Sequence, residues 1–420
     1  MPLRKIIFWL HLIAGVVAGL VILVMSATGV ALAFEKEVVA WAERDVRRVT
    51  PPSDVKRLPL DELLAKVRAA QPEARPSGVT IYSDPTIATL VSIGRTNGFH
   101  VNPYTADVQP QGAKGTRAFM HQMIDWHRFL GAHDAKRPIG KAITGACNAA
   151  FCFLALSGLY LWWPRQWTKT AFRSITLFNW KLSGKPRDWN WHNVIGLWSA
   201  PVLIVLTLTA MPISYRWASD VIYKLTRSEP PAQAGPPGAA PSVEVPTPPS
   251  GTKTLSQEAL LASVQKEIPQ WSQITLRLGG GGGPRGGGGR LREGATNTPP
   301  SEARGVEARA PQAVTFAVKQ SAGAPRFATS QITLNPFTGE VLRAEKYSDY
   351  NLGRRVRSWT RFLHTGEALG PVGQFVAGLA SLGGVVLVYT GLALAVRRFL
   401  RRKQTASNFT APTLETTAER

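Results

Sequence analysis

Four stretches of the 420-residue chain stay apolar over a length that crosses a bilayer: about 6–34, 139–163, 193–215 and 371–396. Roughly 20 helical residues, each rising 1.5 Å, traverse about 30 Å of hydrocarbon, so each stretch predicts a transmembrane helix. Between the first and second spans the pattern changes. LPLDELLAKVRAAQP carries Leu and Val at helical spacing, whereas GVTIYSD, TIATLVSI and FHVNPYTADVQPQ alternate with the period of two of a half-buried strand. After the third span the order recurs: SQEALLASVQKEIPQW as a helix, SQITLRLG and AVTFAVKQ as strands, and SQITLNPFTGEVLRAEKY as a hairpin turning at NPFTGE. NPYTADV and NPFTGEV read as one turn used twice. The prediction is an α-helical membrane protein, a four-transmembrane-helix bundle with two α+β segments outside the bilayer. Its parts are a first span (1–34), an outer segment (35–120), a juxtamembrane helix with the second span (121–163) and a loop (164–190). The third span (191–216), a second outer segment (217–357), the fourth span (358–400) and a tail (401–420) follow.

Charge sets the orientation. Residues 164–190 contain Arg165, Lys169, Arg173, Lys181, Lys185 and Arg187 against Asp188 alone, so the positive-inside rule places this loop in the cytoplasm. Arg4 and Lys5, and Arg397, Arg398, Arg401, Arg402 and Lys403, put both termini on the same side. The formal net charge is +22. These charges flank spans or lie in Gly/Pro-rich sequence rather than on one folded face with interleaved aromatics, which excludes nucleic acid and leaves the lipid bilayer as partner. MPLRK, an apolar run and ALA at 31–33 imitate a secretory leader, but the run exceeds an apolar leader core of about 7–15 residues and carries His11. Cys147 and Cys152 lie within the second span and act there as small apolar residues. The Gly-rich stretch of residues 278–311 has the composition of a flexible insertion dispensable for the chain's chemistry, and it lacks the GK[ST] ending of a phosphate loop.

The histidines carry the chemistry. His11 lies six residues beyond Lys5 and His192 five beyond Arg187, so both fall in the cytoplasmic leaflet; His127 and His364 precede the second and fourth spans and fall at the outer end. The spans echo one another about them. His11 is followed eighteen residues on by Gly29 in SATG and His192 by Ala210 in LTA, while DWHRFLG leads to LSGLYLWWPR as TRFLHTGEALG leads to YTGLALAVRR. The chain thus reads as a duplicated unit of span, outer segment and span. Haem iron takes two axial imidazoles, and helix bundles supply them from facing helices. Pairing by depth points to two haems, one on His11 and His192 and one on His127 and His364. Ser157-Gly158 and Thr390-Gly391 stand level with the inner pair, Thr28-Gly29 and Thr209-Ala210 with the outer, small enough for a macrocycle to pass. The plain alternative is interfacial histidines with ordinary small-residue helix packing, and four histidines matched by depth weigh against it. A proton relay wants carboxylates in the spans, which have none. Arg128 and Arg361, beside the outer pair, suit haem propionates, with interfacial snorkelling as the other reading. His121 and His133, six residues either side of His127, are the alternative partners for His364, and His100 reads as surface or substrate-facing.

WLHLIAG with SATGVALAFEKE, DWHRFLG with LSGLYLWWPR, WHNVIGLW, and FLHTGEALG with YTGLALAVRR together resemble the PepSY-associated transmembrane family; NPFTGEVL resembles the PepSY turn. That family includes bacterial inner-membrane ferric-siderophore reductases and iron-regulated membrane proteins. The resemblance implies periplasmic PepSY-like domains and a four-helix core with two b-type haems on His11, His127, His192 and His364. It implies an enzyme that passes electrons from the cytoplasmic side to periplasmic Fe(III) in a siderophore or other chelate. The sequence departs from the family pattern in the AHDAKRP insert after His127, in Ala210 and in the glycine insertion. It carries no nicotinamide or flavin fingerprint, so the donor is a separate cytoplasmic protein, a quinol or a soluble reductant. The alternative function is a membrane-anchored PepSY binding or regulatory protein acting on a periplasmic peptidase or other protein.

Overall fold

The computed structural model describes residues 2–94, 97–164, 166–231, 243, 245–246, 248–249, 251–278, 312–322 and 325–408. The insertion expected at 278–311 therefore lies, except for Leu278, outside the described residues, as does the end of the tail. In chain order the elements begin with α1 (Pro2–Leu32), α2 (Glu35–Ala42), α3 (Arg44–Arg47) and α4 (Leu60–Ala70), then β1 (Pro76–Tyr82), β2 (Thr89–Ile93), β3 (Asn97–Val101) and β4 (Val108–Pro110). Next come α5 (Lys114–Phe129), α6 (Arg137–Trp162), α7 (Lys169–Thr176), α8 (Gly184–Ser214), α9 (Arg216–Leu225) and α10 (Gln257–Glu267). The chain closes with β5 (Trp271–Arg277), β6 (Val314–Gln320), β7 (Thr329–Leu334), β8 (Val341–Glu345), α11 (Leu352–His364) and α12 (Gly370–Asn408).

Two compact units result. One comprises Met1–Val39, Gly115–Pro230 and Leu352–Arg420. Its four long helices, over Leu3–Leu32, Asp134–Trp162, Gly184–Ser214 and Glu367–Phe399, are each apolar and long enough to cross a membrane. They close a ring in which α1 packs on α6 and α12, and α8 packs on the same two. Small residues let the backbones approach, as is usual where lipid removes the hydrophobic drive for helix association. A Cβ on Gly384 of α12 would stand 2.7 Å from Ser26 Oγ on α1. Asn148 of α6 ties that helix to α8 by donating from Nδ2 to the Thr207 carbonyl at 3.0 Å.

The two helices that precede the even spans are separate elements. α5 ends at Phe129, and the chain reverses through Leu130 (φ 53°) and Gly131 (φ 70°) before α6 begins. A Cβ on Gly140 would lie 2.1 Å from the Phe129 carbonyl oxygen, so α6 passes the end of α5 only with glycine there. Thr144 Oγ1 then donates to the Arg128 carbonyl at 2.9 Å. In the second half α11 ends at His364, and Gly366 (φ 77°) makes the corresponding turn into α12.

The other unit comprises Ala40–Lys114 and Pro231–Asn351. The sequence predicts two separate outer segments; instead both halves share one eight-stranded antiparallel sheet, ordered β4-β3-β2-β1-β5-β6-β7-β8. The join is the β1–β5 pair, where Thr80 opposes Thr275 with hydroxyl oxygens 3.0 Å apart. One core serves both halves: Leu60, Leu64 and Val67 of α4 and Leu260 and Val264 of α10 are buried with Val79, Ile274, Leu276 and Phe316 of the sheet. The helices cap each other, because Asp61 accepts from the Gln257 and Glu258 amides at 3.0 Å and Glu258 accepts from the Leu60 amide at 2.8 Å. The repeated turn is present. Asn102 Oδ1 accepts from the Tyr104 amide and Asn335 Oδ1 from the Phe337 amide, both at 2.9 Å, with Ala106 and Gly339 in the left-handed region that follows.

Candidate functional site in the helical unit

Four imidazoles lie inside the bundle, each held through Nδ1. His11 on α1 meets Ser157 Oγ on α6 at 2.8 Å, and His192 on α8 meets Thr390 Oγ1 on α12 at 2.9 Å. The hydroxyl protons are already committed: Ser157 Oγ donates to the Phe153 carbonyl at 2.6 Å and Thr390 Oγ1 to the Val386 carbonyl at 2.8 Å, one turn back on their own helices. Each oxygen is therefore an acceptor, and Nδ1 carries the hydrogen. At the other end His127 donates from Nδ1 to the Met25 carbonyl at 2.9 Å, with Thr28 Oγ1 at 3.0 Å; His364 donates to the Leu206 carbonyl at 2.9 Å. All four rings thus share one tautomer, with the Nε2 lone pair left over. An Nδ1 hydrogen fixed in this way orients an imidazole and raises its basicity as a metal ligand.

The glycines face these rings. A Cβ on Gly158 would stand 3.5 Å from His11 Cε1, one on Gly391 3.3 Å from His192 Cε1, and one on Gly29 3.6 Å from His127 Cε1. Sequence reasoning treats these positions as room for a macrocycle and misses that the hydroxyl preceding each glycine bonds the imidazole. The signal was the recurrent Ser/Thr-Gly pair. At Thr209-Ala210 the pattern departs: Thr209 Oγ1 donates to the Val205 carbonyl at 2.6 Å, and His364 uses the Leu206 carbonyl instead.

The inner histidines line a cavity of about 1260 Å³ with Gly158, Gly391 and the basic residues Arg4, Lys5, Lys185 and Arg398. It exceeds the roughly 300–1,000 Å³ of an ordinary small-molecule site. At the other end of the bundle the His127 and His364 ring centres stand 6.2 Å apart with planes inclined by 54°. His127 is therefore the histidine that meets His364. His121 instead pairs with Asp125 at 3.3 Å, and His133 is exposed in the turn before α6. His100 belongs to the sheet unit and corrects its surface assignment: it is 4% exposed, with Nε2 3.5 Å from the Glu43 carboxylate. Among the described residues no group of three or more His, Cys, Asp or Glu is placed to hold a metal ion; the bundle offers imidazole pairs.

Arg128 follows His127 on α5, and Arg361 stands one turn before His364 on α11. Burial first, and then the charges of Arg137 and Arg361, hold the Arg128 guanidinium below its ordinary pKa. Burial chiefly lowers Arg357 as well, with Tyr223 opposing and Arg361 adding to the shift. This end of the unit carries crowded positive charge.

No curated protein matches the chain. The sequence model described as the PepSY-associated TM region matches residues 8–398, from the first span through the sheet halves to the end of the fourth. With all four spans inside that match, the chain is a multi-pass membrane protein and belongs to the PepSY-associated TM family.

Proposed function

We propose that the chain is a di-haem b electron carrier of a bacterial inner membrane, with both termini in the cytoplasm, reducing Fe(III) in a siderophore or other chelate on the periplasmic face. The observation that carries this reading is the 6.2 Å between the His127 and His364 ring centres, with both Nδ1 hydrogens committed to carbonyls. An iron held between the two imidazoles would fit that separation, since a metal–imidazole bond is about 2 Å long. Pairs of imidazoles, without further side-chain ligands, suit an iron that brings its own equatorial nitrogens. His127 and His364 hold the outer group in this reading, and His11 and His192 the inner one. Arg4, Lys5, Lys185 and Arg398, which line the inner cavity, and Arg128 and Arg361 at the outer end, match the carboxylates of the macrocycles.

A haem held by such a histidine pair would supply one-electron exchange. The chain's own residues set the ring tautomers through Ser157, Thr390, Met25 and Leu206, and leave space beside the rings at Gly29, Gly158 and Gly391. Reduction serves iron release because hard oxygen chelators hold Fe(III) far more tightly than Fe(II). The donor is a cytoplasmic protein, a quinol or a soluble reductant. Purified full-length protein from haem-replete cells is expected to show a bis-histidine b-type spectrum, to contain two haems per chain, and to be reoxidised by a ferric chelate. A colourless, fully folded protein overturns the reading and leaves a membrane-anchored PepSY binding protein.

A further inference from the structure

The outer histidine pair is accompanied by guanidinium groups that lack carboxylates. Among the described residues neither Arg128 nor Arg361 makes an ion pair, and Arg357 reaches only hydroxyls, Ser219 Oγ at 3.1 Å and Thr360 Oγ1 at 3.3 Å. Asp125, whose charge acts on Arg128, is already engaged by Arg137 at 3.0 Å and His121 at 3.3 Å. Arg357, Arg361 and His364 follow one another at four and three residues along α11, which places them on one stripe of that helix. Arg128 comes to the same end of the unit on α5, where it follows His127, whose ring centre stands 6.2 Å from that of His364. Arg361 is exposed, and Arg128 exposes much of its surface although its guanidinium is partly buried. Like charges gathered in this way repel unless an anion joins them, and a guanidinium pairs best with a carboxylate, in a two-pronged bond.

We propose that Arg128, Arg357 and Arg361 form a recognition site for a carboxylate-bearing anion, and that the ferric chelate taken by this protein is accordingly a negatively charged, carboxylate-rich one. The proposal rests on the ferric-reductase reading, from which it narrows the substrate. Two propionates of an outer haem balance two of the three positive charges, and the third still favours an anionic acceptor over a neutral or cationic one. The residues also stand where the acceptor must come to meet the outer histidines. Charge at such a place raises the association rate of an oppositely charged partner and loses that effect in salt. The electron step itself is balanced: one electron leaves the reduced protein and Fe(III) becomes Fe(II).

The test uses the full-length protein and its Arg128→Gln, Arg357→Gln and Arg361→Gln variants. Binding of gallium(III) citrate, which resembles ferric citrate and does not accept an electron, is measured by calorimetry. Oxidation of the dithionite-reduced protein is followed by stopped flow with ferric citrate and with a neutral ferric tris-hydroxamate. Each variant is expected to bind gallium citrate about tenfold more weakly and to react with ferric citrate about tenfold more slowly at low ionic strength. In Arg357→Gln, whose guanidinium is not assigned to a macrocycle, the rate with the neutral chelate should hold, and so should the absorption of both haems. Normal gallium citrate binding by Arg357→Gln would mean that the guanidiniums clamp propionates only, and would overturn the chelate site. Unchanged gallium citrate binding, or equal slowing with both chelates, overturns it as well. A colourless wild-type protein that still binds gallium citrate through these arginines would retain the anion site and remove the reductase reading beneath it.

Discussion

Removing the hydroxyl behind an inner imidazole is the most discriminating perturbation. Thr390→Val keeps the volume and branching of the side chain and deletes the acceptor that His192 Nδ1–H meets at 2.9 Å; Ser157→Ala does the same for His11, whose contact is 2.8 Å. The helix itself loses little, because each hydroxyl donates only to a carbonyl one turn back on its own helix. The imidazole loses more. A buried N–H left without an acceptor costs about 1–3 kcal/mol, and partners of this kind behind a metal-bound histidine change affinity roughly 10–100-fold, or about 1.4–2.7 kcal/mol. The expected outcome is that inner haem leaves Thr390→Val and Ser157→Ala at least tenfold more readily than wild type, in a transfer assay to a haem-free globin, while outer haem is retained. Thr390→Ser, which restores an oxygen at the same place, is expected to hold haem like wild type. Equal retention in Thr390→Val and wild type would refute the anchoring argument, and so would a loss in Thr390→Ser as large as in Thr390→Val.

His11→Ala or His192→Ala is expected to remove about half the bound haem, leaving the outer spectrum; a double variant that loses none would remove both residues from the site, as measured by haem per chain. Gly140→Val forces a side chain to where the Phe129 carbonyl stands 2.1 Å from a Cβ, so α5 must shift and the outer-haem spectrum is expected to be lost while the inner persists. Leu276→Ala, at a fully buried site of the shared core, is expected to cost about 2–5 kcal/mol. In hydrogen exchange on the full chain it should lower protection in β1–β4 as well as in β5–β8; an effect confined to β5–β8 would mean that the halves are stabilised separately.

The grouping of His11 with His192 and of His127 with His364 was legible because it follows from counting residues from basic helix ends, and the four spans follow from length and apolarity alone. The strands were legible from alternation, and both Asn-Pro turns from their chemistry. The sheet was not. β1 and β5 are joined by residues such as Thr80 and Thr275, 195 positions apart in sequence, and nothing local in an alternating strand says which edge it will meet. The helices of the outer histidines were only partly legible. Gly131 and Gly366 announce turns, but Leu130 also adopts a positive φ, which its identity does not signal. Sequence therefore places His127 at the mouth of the second span, whereas a separate helix carries it back to Met25 and Thr28 of α1.

The duplication explains why these contacts divide as they do. His11 is anchored by Ser157 and His127 by Met25 and Thr28, all in the first repeat; His192 is anchored by Thr390 and His364 by Leu206, all in the second repeat. Anchoring is thus internal to each repeat, as it must be if a single ancestral unit already oriented its own imidazoles. Pairing is not internal. The His127 ring meets the His364 ring, His11 and His192 line one cavity, and β1 meets β5, each time with one member from either half. One repeat alone would present two oriented histidines and an unpaired strand edge, but neither pair of facing imidazoles. Fusing two repeats closes the edge that a lone sheet leaves open to association and completes both histidine pairs together. The residues that orient a ring and the residues that oppose it consequently lie in different halves.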